Sequence, residues 1–130
     1  MSNIDAAIQL AAKYKLGCIE VMDGLTFGFH EKDVPYDLER VRKNVLIGNT
    51  DKENPTAVMG NVGHTLESAN KEIGSGNADF ISFGRPYMSN PDLPERFAQD
   101  IELASPPQYE DWWTKETEDG YTTFPRATPE

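Results

Sequence analysis

The sequence predicts an α/β fold assembled from parallel βα units. Helical spacing and short apolar runs alternate along most of the chain, and glycines stand where each apolar run ends. No internal repeat or low-complexity tract interrupts the pattern. Alternation of this kind is the mark of strands joined by helical crossovers.

Taken in order, Ile4, Ala7, Ile8, Ala11 and Ala12 recur at helical spacing in a segment reaching Lys15. Ser2 or Asn3 supplies the N-cap, and Gly17 follows the helix end. Cys18-Ile19-Glu20-Val21-Met22 is a short, mostly apolar run closed by Asp23-Gly24 and reads as a strand. Leu25 to Tyr36 has no period and reads as a loop. Asp37 to Val45 predicts a short helix with Leu38, Val41 and Val45 on one face. Ile47 to Pro55 is polar and rich in turn residues, a surface excursion before a second strand, Thr56 to Met59. Gly60-Asn61-Val62-Gly63 closes that strand. Thr65 then caps a helix running to about Ile73, with Glu67 in the first turn, where a negative charge suits the helix dipole. Gly74 and Gly76 end it. A third strand, Ala78 to Phe83, leads to Gly84-Arg85, and a short helix, Leu93 to Gln99, follows Asn90-Pro91. From Ser105 onward prolines and aromatics (Tyr109, Trp112, Trp113, Tyr121, Phe124) make an irregular tail that needs a surface to pack on.

The 130 residues suit a single modest core. With 22 acidic against 12 basic residues the net charge is -10, and the bases form no patch. An acidic surface repels nucleic-acid phosphate and anionic lipid, so neither nucleic acid nor membrane is an expected partner. No apolar stretch approaches the roughly 18 residues of a membrane helix. The first residues lack the basic start and apolar core of a secretion signal. The single cysteine, Cys18, allows no internal disulfide and fits a reducing compartment. A cytoplasmic location is therefore expected.

Two loops could carry chemistry. Gly60-Asn61-Val62-Gly63 and Gly84-Arg85 both follow strand C-terminal ends and lead toward helices. Glycines there let the backbone approach a ligand, and helix N-termini turn unpaired N–H groups toward an anion. In (β/α)₈ barrels the loops after strands 7 and 8 commonly bind phosphate. Arg85 would add a fixed charge and a bidentate fork. The alternative is a pair of ordinary βα turns. His30 and His64 have no ligand partner three or four residues away, so a surface or turn role is expected and no metal site. Cys18 lies within a strand and is expected to pack as a small apolar residue rather than act as a nucleophile. Asp92 and Glu95 are expected to cap and charge a helix start rather than form an acid–base pair. Trp112 and Trp113 read as docking anchors.

Several segments resemble one family. Val21 to Glu31 resembles the stretch after strand 6 of the old yellow enzymes, in the NADH:flavin oxidoreductase family. Met59-Gly60-Asn61-Val62-Gly63-His64-Thr65 resembles their strand 7 motif, in which a glycine and its neighbour hold the FMN phosphate; the commoner version has tyrosine where His64 stands. Ala78-Asp79 with Phe83-Gly84-Arg85-Pro86-Tyr87-Met88-Ser89-Asn90-Pro91-Asp92-Leu93 is similar to the strand 8 signature, whose glycine and arginine complete that phosphate site. Asp119 to Pro125 resembles the C-terminal motif whose tyrosine, here Tyr121, lies beside the active site. The likeness runs from about Ile4 to Pro125 in the family's order, with Ile47 to Pro55 standing as an insertion.

The resemblance implies a partial TIM (β/α)₈ barrel: the last three βα units (strands 6–8) over residues 1–104, then a tail over 105–130 that packs on the barrel or a partner. It implies FMN as cofactor, with Gly60, Asn61, Gly84 and Arg85 at its phosphate and Tyr121 near the substrate. A whole barrel has eight units and about 250 residues. The regions that hold the flavin ring, the histidine/asparagine pair that polarises the substrate and the proton-donating tyrosine have no counterpart here, so no residue is assigned a catalytic role. The expectation is a truncated flavin oxidoreductase that keeps the FMN-phosphate half-site. Reduction of a small enone by NAD(P)H would then occur only when the missing barrel part is supplied. Three strands cut from a closed barrel expose two edges and one face, which calls for self-association or a complementing chain. Two alternatives stand beside this. One is a non-catalytic scaffold that binds a protein or its own copy; the other is a small module that binds a nucleotide or another phosphorylated ligand.

Overall fold

The computed structural model describes residues 2–22, 36–107, 112, 116–120 and 122–127. The chain divides into two compact units, Met1–Ser82 and Phe83–Glu130.

The first unit runs α1 (Asn3–Lys13), β1 (Cys18–Met22), α2 (Leu38–Gly48), β2 (Ala57–Asn61), α3 (Leu66–Gly74), β3 (Phe80–Ile81). Each helix begins where its sequence supplies an oxygen for orphan N–H groups. Ser2 accepts from Asp5 N–H while the Asp5 carboxylate accepts from Ser2 N–H, and Thr65 and Ser68 repeat this exchange on α3. Asp37 caps α2 by accepting from Arg40 N–H. The three strands form one parallel sheet in the order β1-β2-β3, with Ile19 beside Val58, Val21 beside Gly60, and Gly60 beside Ile81.

Alternation along the strands decides where the core lies. Ile19, Val21, Val58 and Ile81 face the helices, where they meet Ile8 and Ala12 of α1 and Leu38, Val41 and Val45 of α2. These helical positions recur at three- and four-residue spacing, which puts them on one stripe. The opposite sheet face, carrying Cys18, Glu20, Met22 and Phe80, is exposed, with Met22 and Phe80 each 52% accessible.

The α1–α2 seam also holds a polar network. The buried Asp5 carboxylate accepts from Tyr36 Oη, from Arg40 Nε (2.9 Å) and Nη2 (2.8 Å), and from Asn44 Nδ2 (3.0 Å). The Arg40 guanidinium, then the Tyr36 hydroxyl, hold the Asp5 carboxyl far below the usual carboxylate range. Burial and the bond to Asp5 push the Tyr36 phenol up to about 12.

In the second unit, α4 (Arg85–Ser89) and α5 (Leu93–Gln99) precede an extended segment without helix or strand among its described residues. Its centre is polar. Arg96, 7% accessible, donates to Asp92 Oδ1 (2.8 Å), Glu102 O (2.8 Å) and Pro125 O (3.3 Å), while Asp92 Oδ2 accepts from Ala127 N–H (2.7 Å). Buried Asn90 exchanges bonds with the Ala104 backbone and donates to Pro86 O. The tail is thus tied down by backbone groups meeting buried side chains. Phe83 and Phe97 add an edge-on ring contact at 5.2 Å.

Several expectations need correction. The second helix extends to Gly48, because Asn49 N–H still bonds Val45 O, so the polar excursion starts later than Ile47. The second strand continues through Asn61, since pairing with Met22 persists there. The third keeps only Phe80–Ile81 as strand, and before it Asp79 turns its carboxylate onto Val58 N–H and Arg42. A short helix, α4, occupies Arg85–Ser89, where proline at its start permits helix without a donor. Asp92 sits at the N-cap of α5 but makes no cap bond, its oxygens being taken by Arg96 and Ala127. Cys18 is exposed rather than packed, because its position on β1 falls on the open sheet face. Of the predicted loop Leu25 to Tyr36, only Tyr36 is among the described residues.

Candidate functional site

The predicted site residues fall in both units, Gly60 and Asn61 in the first and Gly84 and Arg85 in the second. Tyr121, His30, Trp113 and Tyr109 lie outside the described residues.

Gly60 is buried in the central strand. A Cβ built on it would lie 2.6 Å from Leu38 Cδ1, 2.9 Å from Ile81 Cδ1 and 3.3 Å from His64 Nε2. A methyl group here would have to push those side-chain ends aside, so core packing favours glycine, a reason the sequence reading did not offer. Beyond it the chain turns sharply. Val62 has φ +73° and Gly63 φ +79°, two successive left-handed residues, the first of them β-branched and so strained. The turn is held by Asn61, whose Oδ1 accepts from Val62 N–H at 2.6 Å. His64 follows, with Nδ1 3.3 Å from Ser68 Oγ at the first turn of α3.

The other end of the Asn61 side chain meets a residue that sequence reasoning passed over. Asn61 Nδ2 donates to Glu20 Oε1 at 2.8 Å, and Ser82 Oγ donates to the same oxygen at 3.1 Å. The available signal was a lone carboxylate inside an otherwise apolar strand run. Cys18 shares that face, where desolvation and the charges of Glu20 and Asp79 push its thiol up, away from nucleophilic use. Asp79 behaves oppositely. Desolvation draws its carboxyl upward, but the Val58 N–H bond and the Arg42 guanidinium outweigh this and hold it below the usual range.

In the second unit Gly84 precedes α4, and a Cβ built on it would meet no atom within 4 Å. Nothing in the fold itself calls for glycine there. Arg85 is exposed, with its guanidinium carbon 5.2 Å from the Trp112 ring centroid, and the indole Nε1 donates to Pro107 O at 3.1 Å. Ion pairs among the described residues engage Lys15, Arg40, Arg42, Arg96 and Arg126, and Arg85 is not one of these. A solvent-facing guanidinium beside open backbone fits a phosphate chemically. Among the described residues no group of three or more His, Cys, Asp or Glu side chains could hold a metal ion, and no helix is long and apolar enough to cross a membrane.

No family model matches the chain. The 12-oxophytodienoate reductase 1 of Oryza sativa is 41% identical over 66 residues, which cover 48% of this chain and 16% of that protein. The flavin oxidoreductase hxnT of Emericella nidulans is 39% identical over 61 residues, 47% of this chain and 16% of its own length. Among solved structures, the old yellow enzyme homologue from Zymomonas mobilis superposes with a TM-score of 0.76 at 30% identity, covering 94% of this chain and 32% of that one. The old yellow enzyme from Trypanosoma cruzi gives 0.72 at 25% identity, covering 98% and 31%. The chain thus resembles old yellow enzymes in sequence and in fold, and it spans about a third of those solved chains.

Proposed function

We propose that these 130 residues are the phosphate-anchoring part of an old-yellow-enzyme-type flavin oxidoreductase. In this reading they correspond to the last three βα units of the barrel. Gly60, Asn61, Gly84 and Arg85 hold the FMN phosphate, and Tyr121 lies near the substrate. Bound flavin supplies the hydride chemistry, with NAD(P)H as its reductant and a small enone as acceptor. This segment's own task is to fix the phosphate end: backbone and glycine give close approach, and Arg85 supplies charge and two parallel donors. Ring orientation and proton delivery belong to barrel units that these residues do not include, whether joined in one chain or supplied by another. Ene reduction therefore requires both parts.

The observation that carries this reading is Arg85, exposed and held over Trp112 directly after a glycine that no neighbouring atom requires. Arg85→Ala should abolish measurable affinity for FMN or inorganic phosphate. Unchanged affinity would remove Arg85 from the site.

A second reading, a non-catalytic scaffold that binds a protein or its own copy, is favoured by the open sheet face with half-exposed Met22 and Phe80. It predicts a self-associated species, and a well-folded monomer by light scattering would count against it.

A further inference from the structure

Three donors around the end of β2 already have protein acceptors. Asn61 Nδ2 donates to Glu20 Oε1, Ser82 Oγ donates to the same oxygen, and Val62 N–H donates to Asn61 Oδ1. The acceptor shared by two of them is a carboxylate, and it comes from a distance. Glu20 lies on β1 while Ser82 follows β3, two inter-strand spacings or about 10 Å away, so the Glu20 carboxylate and the Ser82 hydroxyl meet over the central strand. Register places Glu20, Met59, Asn61 and Phe80 on the same, open face. Both donors converge on the carboxylate there.

We propose that Glu20 is an intramolecular stand-in for the anion at this half-site, so that a phosphate binds at Asn61 only by displacing it. Phosphate and carboxylate compete for the same donors, and their like charges disfavour sharing them. Glu20 thereby sets the threshold for phosphate affinity at the β2 end. Its release by a ligand also frees Asn61 and Ser82 to turn toward that ligand. The inference rests on the phosphate reading given above and assigns a determinant of affinity within it.

Glu20 is exposed, so replacing it leaves the core intact. Calorimetric titration with inorganic phosphate, and separately with FMN, is made on the whole chain and on Glu20→Gln, Glu20→Ala, Arg85→Ala and Glu20→Gln/Arg85→Ala, with circular dichroism as the check on folding. Both Glu20 variants should bind at least tenfold more tightly than the parent. Affinities within twofold of the parent in both would overturn the proposal, as would an absence of binding in both. If Glu20→Gln tightens binding while Arg85→Ala changes nothing in either background, the stand-in role holds and Arg85 leaves the phosphate reading. If Arg85→Ala weakens binding while the Glu20 variants equal the parent, the phosphate reading holds and the stand-in role is lost.

Discussion

Substituting Gly60 with alanine separates two reasons for a glycine beside a phosphate loop. The added methyl would stand 2.6 Å from Leu38 Cδ1 and 2.9 Å from Ile81 Cδ1, both inside any real carbon–carbon contact. Leu38 is 2% accessible and wedged among Val41, Val45 and Val58, so it has little room to move aside. Overpacking of this kind costs roughly 1–3 kcal/mol, against which alanine recovers roughly 0.4–1 kcal/mol by restricting the unfolded chain. The net is a loss of about 1 kcal/mol, or about 4–8 °C in the melting temperature of a domain this size. Thermal and urea denaturation followed by circular dichroism measure it. The decisive comparison is the same substitution in a Leu38→Val background, which removes the terminal methyl nearest the clash. The cost of Gly60→Ala should fall there by about 1 kcal/mol, a coupling expected only between residues in contact. An identical cost in both backgrounds would refute the packing explanation and return Gly60 to the ligand alone.

Gly48→Ala should be more damaging, because its Cβ would lie 2.1 Å from the Gln9 carbonyl oxygen and 2.6 Å from Gln9 Cα, backbone atoms that yield only if α1 and α2 separate. A loss of about 2–3 kcal/mol is expected in urea denaturation, and an unchanged midpoint would contradict this helix contact. Val62→Gly should stabilise by about 0.5–1 kcal/mol, since relief of a left-handed β-branched residue exceeds the entropic penalty of glycine; a lower melting temperature would refute it. Stability should be flat near neutral pH and fall at both ends. Asp5, held low by Arg40 and Tyr36, contributes fully above its ordinary value of 3.8 and loses that contribution as pH falls through its depressed folded value. Tyr36, raised chiefly by burial and by its bond to Asp5, contributes fully below 10.0 and loses it as pH rises toward about 12. Urea midpoints across pH, with Tyr36→Phe removing the alkaline decline, check this.

Local signals in the sequence carried the fold well. Strand β1 matches the apolar run Cys18–Met22, α5 matches Leu93–Gln99, and Ser2 and Thr65 cap the helices they precede, because each depends on neighbours within one turn or one strand. What escaped was long-range or dual-purpose. Apart from its capping partner Ser2, the partners of the Asp5 carboxylate lie 31–39 residues away, and only the folded α1–α2 seam brings them together. Asp92 looked like a cap because Arg96 and Ala127 were not yet in view. Gly60 is legible as a turn glycine, yet its packing against Leu38 depends on a helix 22 positions earlier in the chain. Glu20 was readable only as a charge in an apolar run until the register of three strands set Asn61 and Ser82 around it.

Oxidation of NAD(P)H in the presence of FMN and a small enone tests the central division of labour most directly. The assay compares these 130 residues alone with the same residues mixed with a polypeptide supplying the preceding barrel units. No turnover is expected from the first sample and enone-dependent turnover from the second. A yellow, catalytically active preparation of the 130 residues alone would contradict the account.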